Sequence, residues 1–326
     1  MKALAITDIG KLGIIDLDIP QIGEYEVLSK MDACAFCNST DHKLIIGEFF
    51  PGIFPSIVGH EVVSTVVAVG DKVKNFKVGD KVFRQRLTDE MVPGGRSNWG
   101  GFSEYGVIED RWAKEGVEQD PKKYPYDQQK ILIDIPAPDA TTMITLMECL
   151  DCMIEGGVKP GKSVAVVGSG PVGQAMSTFA KLLGADRVVS VGRRDAHKDR
   201  FMDVCKVDDY ITDISGFEGK FDLVFEAVGS AEALETAVKL AKEDGVIRYY
   251  GIAFESKPYP ANLTADERVS PIGATEGRVQ KELVEYINSG QIKLTDWFDV
   301  VLPMSEYQKG YDLLMSGKAY KVVLIP

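Results

Sequence analysis

The chain has 326 residues, 45% of them hydrophobic and 26% charged, a globular composition at a length that implies two domains. Its formal net charge of −12 argues against a nucleic-acid partner, which needs a broad basic patch, but leaves room for a local phosphate pocket. Five cysteines are too sparse and too odd in number for a disulfide scaffold, which fits a reducing cytoplasm, and no run of about 18 apolar residues announces a membrane span.

The chain opens with alternating apolar and polar residues, which reads as a strand rather than a signal peptide. Residues 1–110 look β-rich. Residues 57–82 are short β-branched runs broken by Gly-Asp turns, and two copies of Val-Gly-Asp-Lys-Val there read as two turns of one sheet. Residues 140–157 are apolar at helical spacing and end in Gly-Gly, a helix stop. Strands and helices then alternate: strand Ser163–Val167, helix 173–183, strand Arg187–Val191, helix 197–205, strand 221–225, helix 231–242 and strand 245–250. That rhythm predicts a parallel sheet wrapped by helices. A further helix is expected over 280–289, and the last strand, 321–325, is expected to return to the N-terminal β domain.

The first strand of the alternating region runs into Gly168-Ser-Gly170-Pro171-Val172-Gly173. Gly168 permits a tight turn, Gly170 removes a side chain that would block a pyrophosphate, and Gly173 lets the helix pack closely on the strand. Unpaired N–H groups at the helix start favour the phosphates of a dinucleotide. The next strand ends in Gly192-Arg193-Arg194-Asp195. Gly192 stands where an acid would bind the ribose of NAD, and the two guanidiniums can grip a 2′-phosphate, which favours NADP(H). The competing reading is a solvated basic turn with Asp195 serving NAD(H).

The chain has three histidines, His42, His60 and His197. Two fall near cysteines, in Cys34-Ala-Phe-Cys37-Asn-Ser39-Thr40-Asp41-His42 and in Gly59-His60-Glu61. Thiolate, imidazole and carboxylate together suit Zn2+, although a buried histidine can equally be structural.

These motifs resemble the medium-chain zinc-dependent alcohol and polyol dehydrogenases over nearly the whole chain. The resemblance rests on Cys37, Ser39, Asp41 and His42, on Gly59-His60-Glu61, on the Val-Gly-Asp-Lys-Val repeat through Val82, on residues 100–105 and on Gly-Val-Lys-Pro-Gly at 157–161. It implies an α/β chain with a β-rich GroES-like catalytic domain, 1–146 completed by 278–326, and a Rossmann doubly wound domain, 147–277. It implies one catalytic zinc on Cys37 and His60, and no structural zinc, because residues 84–115 hold no cysteine. The third ligand in the family lies on the helix entering the nucleotide domain. Counting back from Val-Lys-Pro-Gly reaches Ile144, which cannot bind metal. Counting forward from Ile135-Pro136 reaches Glu148, on the same helix face, and Glu148 is preferred. Glu61 is the alternative acid ligand. Cys149 and Cys152 read as small core residues.

The resemblance also implies a proton relay from Ser39 through the cofactor ribose to His42, and leaves open whether Thr40 or Asp41 takes the family's aspartate role beside the metal. Carboxylates near the zinc favour a polyol or sugar hydroxyl, with a simple secondary alcohol or ketone next. Trp99, Phe49 and Phe50 could line the pocket. A homodimer or homotetramer is expected. The alternatives are a zinc-free quinone or enone reductase of the same fold and a non-catalytic NADPH-binding sensor.

Overall fold

A computed structural model describes residues 1–50, 52–120, 123 and 128–326. The chain divides into two compact units, Met1–Ile144 with Glu276–Pro326 and Thr145–Thr275. The division falls inside the helix Ala137–Glu155. Among the described residues, no helix is long and apolar enough to cross a membrane.

In the first unit the organising pair is Glu26–Ala35 against Glu61–Val69, antiparallel, from Val27 opposite Val69 to Ala35 opposite Glu61. Both strands are rich in β-branched and small residues, whose side chains suit a packed pleated surface. The register has a functional consequence. Glu61 starts its strand opposite Ala35, so residues just beyond Ala35 and just before Glu61 emerge at the same end of the sheet. The final strand, Val322–Ile325, pairs antiparallel with Glu26–Ala35, with Val323 opposite Ala35. The C-terminus does return to the N-terminal β unit, and it brings Lys321 to the end where Cys37 and His60 emerge. A second, four-stranded sheet holds the first two strands of the chain, Lys2–Asp8 and Lys11–Asp16. The core between these elements includes Leu4, Ile6, Met31, Phe36, Val62, Phe102 and Leu324, all nearly or fully buried.

The second unit is a six-stranded parallel sheet. Strand Ser163–Val167 is central, flanked by Arg187–Val191 and then Asp209–Ile211 on one side, and by Phe221–Glu226, Ala241–Tyr249 and Val269–Pro271 on the other. The order reverses at the first strand, as in a doubly wound dinucleotide fold. Four of the five residues of Ser163–Val167 are buried, because helices cover both faces of such a sheet. The expected alternation is present, with helices Pro171–Leu182, Lys198–Asp203 and Ala231–Leu240 between the strands. Helix ends differ from the reading by a few residues. The chain turns extended at Ala241, directly after Leu240, where helical spacing had suggested one more residue pair of helix.

Candidate metal centre and cofactor turn

Donor atoms of Cys37, His60 and Glu61 all lie within 4.8 Å of one another, close enough for one metal ion to gather them. Gly59 makes the approach possible. Its φ is +99°, and a Cβ there would fall 2.5 Å from the Phe102 ring, so only glycine can turn the chain into His60 at this point.

Asp41, the second residue of the helix Thr40–Ile45, orders both ligands. Its Oδ2 accepts the backbone N–H of Cys37 at 2.9 Å, and its Oδ1 lies 3.4 Å from His60 Nδ1. Of the two residues left open for this position, the geometry places Asp41 beside the imidazole, and Thr40 starts the helix. Burial opposes a charged His60, but the Asp41 carboxylate and Cys37 outweigh it and hold the imidazole well above its ordinary pKa. The pocket therefore favours positive charge where the metal would sit. The donor set, its spacing and this potential fit a divalent zinc.

Glu61 is buried and forms an ion pair with the buried Lys321. Burial alone would lower the Lys321 pKa, but Glu61, with Cys37 and Asp41, raises it. Glu148 lies in the second unit, where its carboxylate accepts a 2.7 Å hydrogen bond from the Tyr250 hydroxyl. Cys149 and Cys152 are fully buried, as core residues are. Burial pushes the Cys205 thiol up to about 12 and holds Cys34 well above its usual range, so both stay protonated.

Ser39 and His42 are half-buried, each with a partner that sequence spacing did not reveal. Ser39 Oγ accepts from Lys43 Nζ at 2.9 Å, and His42 Nδ1 lies 2.9 Å from the Tyr311 hydroxyl. Burial and the Lys43 charge lower the His42 pKa, which keeps the imidazole neutral at neutral pH. Trp99, 41% exposed and at φ +72°, sets its ring 5.0 Å from that of His60. Phe49 and Phe50 stack on each other, and Arg96 lies over the Phe50 ring.

In the second unit the three glycines of the turn have separable reasons. Gly168 has a φ of +136°. A Cβ on Gly173 would lie 2.0 Å from the Gly168 carbonyl oxygen, so this helix can approach the strand only without a side chain. A Cβ on Gly170 would meet nothing within 4 Å; the glycine opens onto free space at the start of the helix Pro171–Leu182. Pro171 occupies the first helical turn, where no N–H partner is needed, with Val172 beside it. These features fit a pyrophosphate. At the end of the next strand, Gly192 is pressed by Tyr210: a Cβ would fall 1.8 Å from its hydroxyl oxygen. That hydroxyl donates to the Arg194 carbonyl at 2.8 Å, while the Arg193 and Arg194 side chains are exposed. Tyr210 is a site residue that sequence reading missed, because it comes from a later strand.

Residues 23–115 match the family model of an alcohol dehydrogenase GroES-like domain, and residues 171–289 that of a zinc-binding dehydrogenase. The chain is 30% identical to an NADP-dependent isopropanol dehydrogenase of Thermoanaerobacter brockii, over 77% of this chain and 76% of that one. The chain belongs to the medium-chain, zinc-type alcohol and polyol dehydrogenase family. It is also 28% identical to D-arabinitol dehydrogenase 1 of Uromyces fabae, over 100% of this chain and 97% of that protein. Among solved structures, alcohol dehydrogenase TADH from Thermus sp. ATN1 superposes with a TM-score of 0.80 at 22% identity, covering 100% of this chain and 99% of that one, and so shares the fold. The expected fold class, a GroES-like unit plus a Rossmann unit, holds, and the chain is an oxidoreductase of this family.

Proposed function

We propose that the chain transfers hydride between NADP(H) and a secondary hydroxyl or ketone of a polyol or sugar, with one catalytic zinc per chain. The observation that carries the reading is the convergence of Cys37, His60 and Glu61. Helix spacing prefers Glu148 as the acid ligand; the convergence of the Glu61 carboxylate with Cys37 and His60 supports Glu61 in that role. The NADP(H) preference is supported by Arg193 and Arg194, by Tyr210 filling the space where an acid on residue 192 would stand, and by the NADP-dependent relative. The polyol preference is supported by the D-arabinitol dehydrogenase relative and the carboxylates at the metal centre.

A bound zinc would lower the pKa of the substrate hydroxyl as a Lewis acid, and the nicotinamide would carry the hydride. Asp41 holds Cys37 and His60 in aim, and Lys321 balances the charge of Glu61. Ser39 would accept the substrate's hydroxyl proton as it passes its own to the ribose hydroxyl of a bound cofactor, and Lys43 Nζ, which donates to the same Oγ, orients that hydroxyl. His42, kept neutral by burial and Lys43, accepts the proton on its way to solvent, and Tyr311 fixes its ring. Thr40 contributes by opening the helix that carries Asp41 and His42. We assign the chain to the cytoplasm and to a homodimer or homotetramer.

The test is metal analysis of the purified protein, followed by an activity screen with both cofactors across polyols, sugars and simple alcohols. The expected result is close to one zinc per chain and zinc-dependent turnover. A metal-free protein that reduces enones would instead establish the quinone-reductase alternative, and a zinc-loaded protein that binds NADPH without turning over any alcohol or carbonyl would establish a sensor.

A further inference from the structure

Arg84 follows the strand Lys81–Phe83 and is 8% exposed. Its φ of +63° lies in the left-handed region, which a side chain of this size enters only when its surroundings over-determine it. They do so here. The Arg84 N–H donates to the Val62 carbonyl at 2.9 Å, and its own carbonyl accepts from Gln128 Nε2 at 2.7 Å. The guanidinium then spans two targets. Nε donates to Glu276 Oε2 at 3.0 Å and Nη2 pairs with the other carboxylate oxygen, while Nη1 donates to the carbonyl of His60 at 3.0 Å.

Glu276 is fully buried, and it is the first residue of the segment that re-enters the catalytic unit. A pair this dry gains little net stability, since desolvation offsets most of the attraction and apolar replacements serve as well. What the fork supplies is direction, because a planar guanidinium fixes three donors relative to one another and a lysine cannot. The carbonyl it holds is the next after that of Gly59, which accepts from the Gly101 N–H at 2.8 Å, so the turn that carries the imidazole is tied at two successive carbonyls, and Arg84 holds the one on His60 itself.

We infer that Arg84 is a positioning residue for the metal centre, tying the peptide carbonyl of His60 to Glu276 so that the aim of the imidazole depends on where the chain re-enters the unit. The inference rests on the reading of Cys37, His60 and Glu61 as a zinc site. Asp41 fixes the imidazole ring from its Nδ1 side, and Arg84 fixes the backbone that carries it.

The test removes both charges together, as Arg84→Met with Glu276→Leu, because deleting one leaves the other buried and uncompensated. Zinc affinity is measured by chelator competition, and the site is read by the visible spectrum of the cobalt(II) form. The expected result is a zinc Kd raised tenfold to a hundredfold and a shifted cobalt spectrum, with far-UV circular dichroism unchanged. Arg84→Lys, which keeps the charge and loses the fork, is expected to recover only part of the affinity, and it decides the matter by the same readouts if the double variant does not fold. Wild-type zinc affinity and cobalt spectrum in the folded variant would overturn the inference alone. A wild-type chain that binds no zinc would overturn the metal reading and the inference with it.

Discussion

Replacing Gly192 with alanine tests the cofactor turn most directly. The backbone of Gly192 tolerates a side chain, so the whole effect comes from what the methyl meets. The added carbon falls 1.8 Å from the Tyr210 hydroxyl oxygen and 2.6 Å from its Cζ, where ordinary contact begins at 3.4 Å. The phenol must therefore retreat by about 1.6 Å (3.4 − 1.8). Tyr210 is 5% exposed, packs 5.2 Å from the Phe201 ring and donates to the Arg194 carbonyl. Losing that hydrogen bond costs about 1 kcal/mol, and forcing a methyl into a packed site typically costs about 1–3 kcal/mol. A net destabilisation of about 2–4 kcal/mol is expected, read by urea denaturation of the cofactor-free protein. In a Tyr210→Ala background the nearest remaining atom is Ser169 Cβ, at 3.1 Å, and the cost of the methyl should drop below about 1 kcal/mol. NADPH affinity should fall in the single variant as the Arg193-Arg194 turn loses its tether. An unchanged stability for Gly192→Ala, or the same penalty in both backgrounds, would refute the assignment of Tyr210 as the residue that shapes this turn.

Three further outcomes are expected. Arg193→Asp should raise the Kd of NADPH by about tenfold or more, as loss of a charge-assisted contact would, and change that of NADH far less; equal effects in fluorescence titrations would remove the 2′-phosphate assignment. Trp99→Ala should raise KM for polyols about three- to tenfold while leaving 2-propanol nearly unaffected, because the half-exposed ring beside His60 offers a face only to a larger substrate. Asp222 resists the effect of burial because Lys242 and Ser163 hold its carboxyl well below the usual carboxylate range. Its contribution is thus present above the ordinary carboxylate pKa of about 4 and is lost as the pH falls through the lower folded value. Asp222→Asn should cost about 1–3 kcal/mol at neutral pH and lose that difference in acid; a pH-independent gap would show that the ion pair is not its source.

Local signals were most legible where one short segment carries its own reason. Gly168, Gly170 and Gly173 could be assigned separate duties from sequence because strand, turn and helix follow one another within a few residues; the structure shows the positive φ at Gly168 and the close helix–strand approach at Gly173, and open space beside Gly170. The parallel sheet was legible for the same reason, since alternating strand and helix patterns admit few topologies. Cys37, His60 and Glu61 were singled out by motif, and their donors do converge. Glu148 is reached by counting along a helix, and spacing gives the face of a helix but not its neighbours; the Tyr250 hydroxyl that bonds to it comes from a later strand's end and left no local signal.

The sequence by itself determined the two-unit α/β class, the glycine turn and the thiolate–imidazole–carboxylate set, because each is written in contiguous residues whose backbone and ligand chemistry leave few choices. Only the tertiary structure decided the partners. Asp41 rather than Thr40 stands at His60, Lys321 pairs with Glu61, Tyr210 fills the space beside Gly192, and Arg84 joins His60 to Glu276. Each of these depends on strand register or on a helix phase fixed far along the chain, and a one-residue slip in register would turn every such side chain to the opposite face.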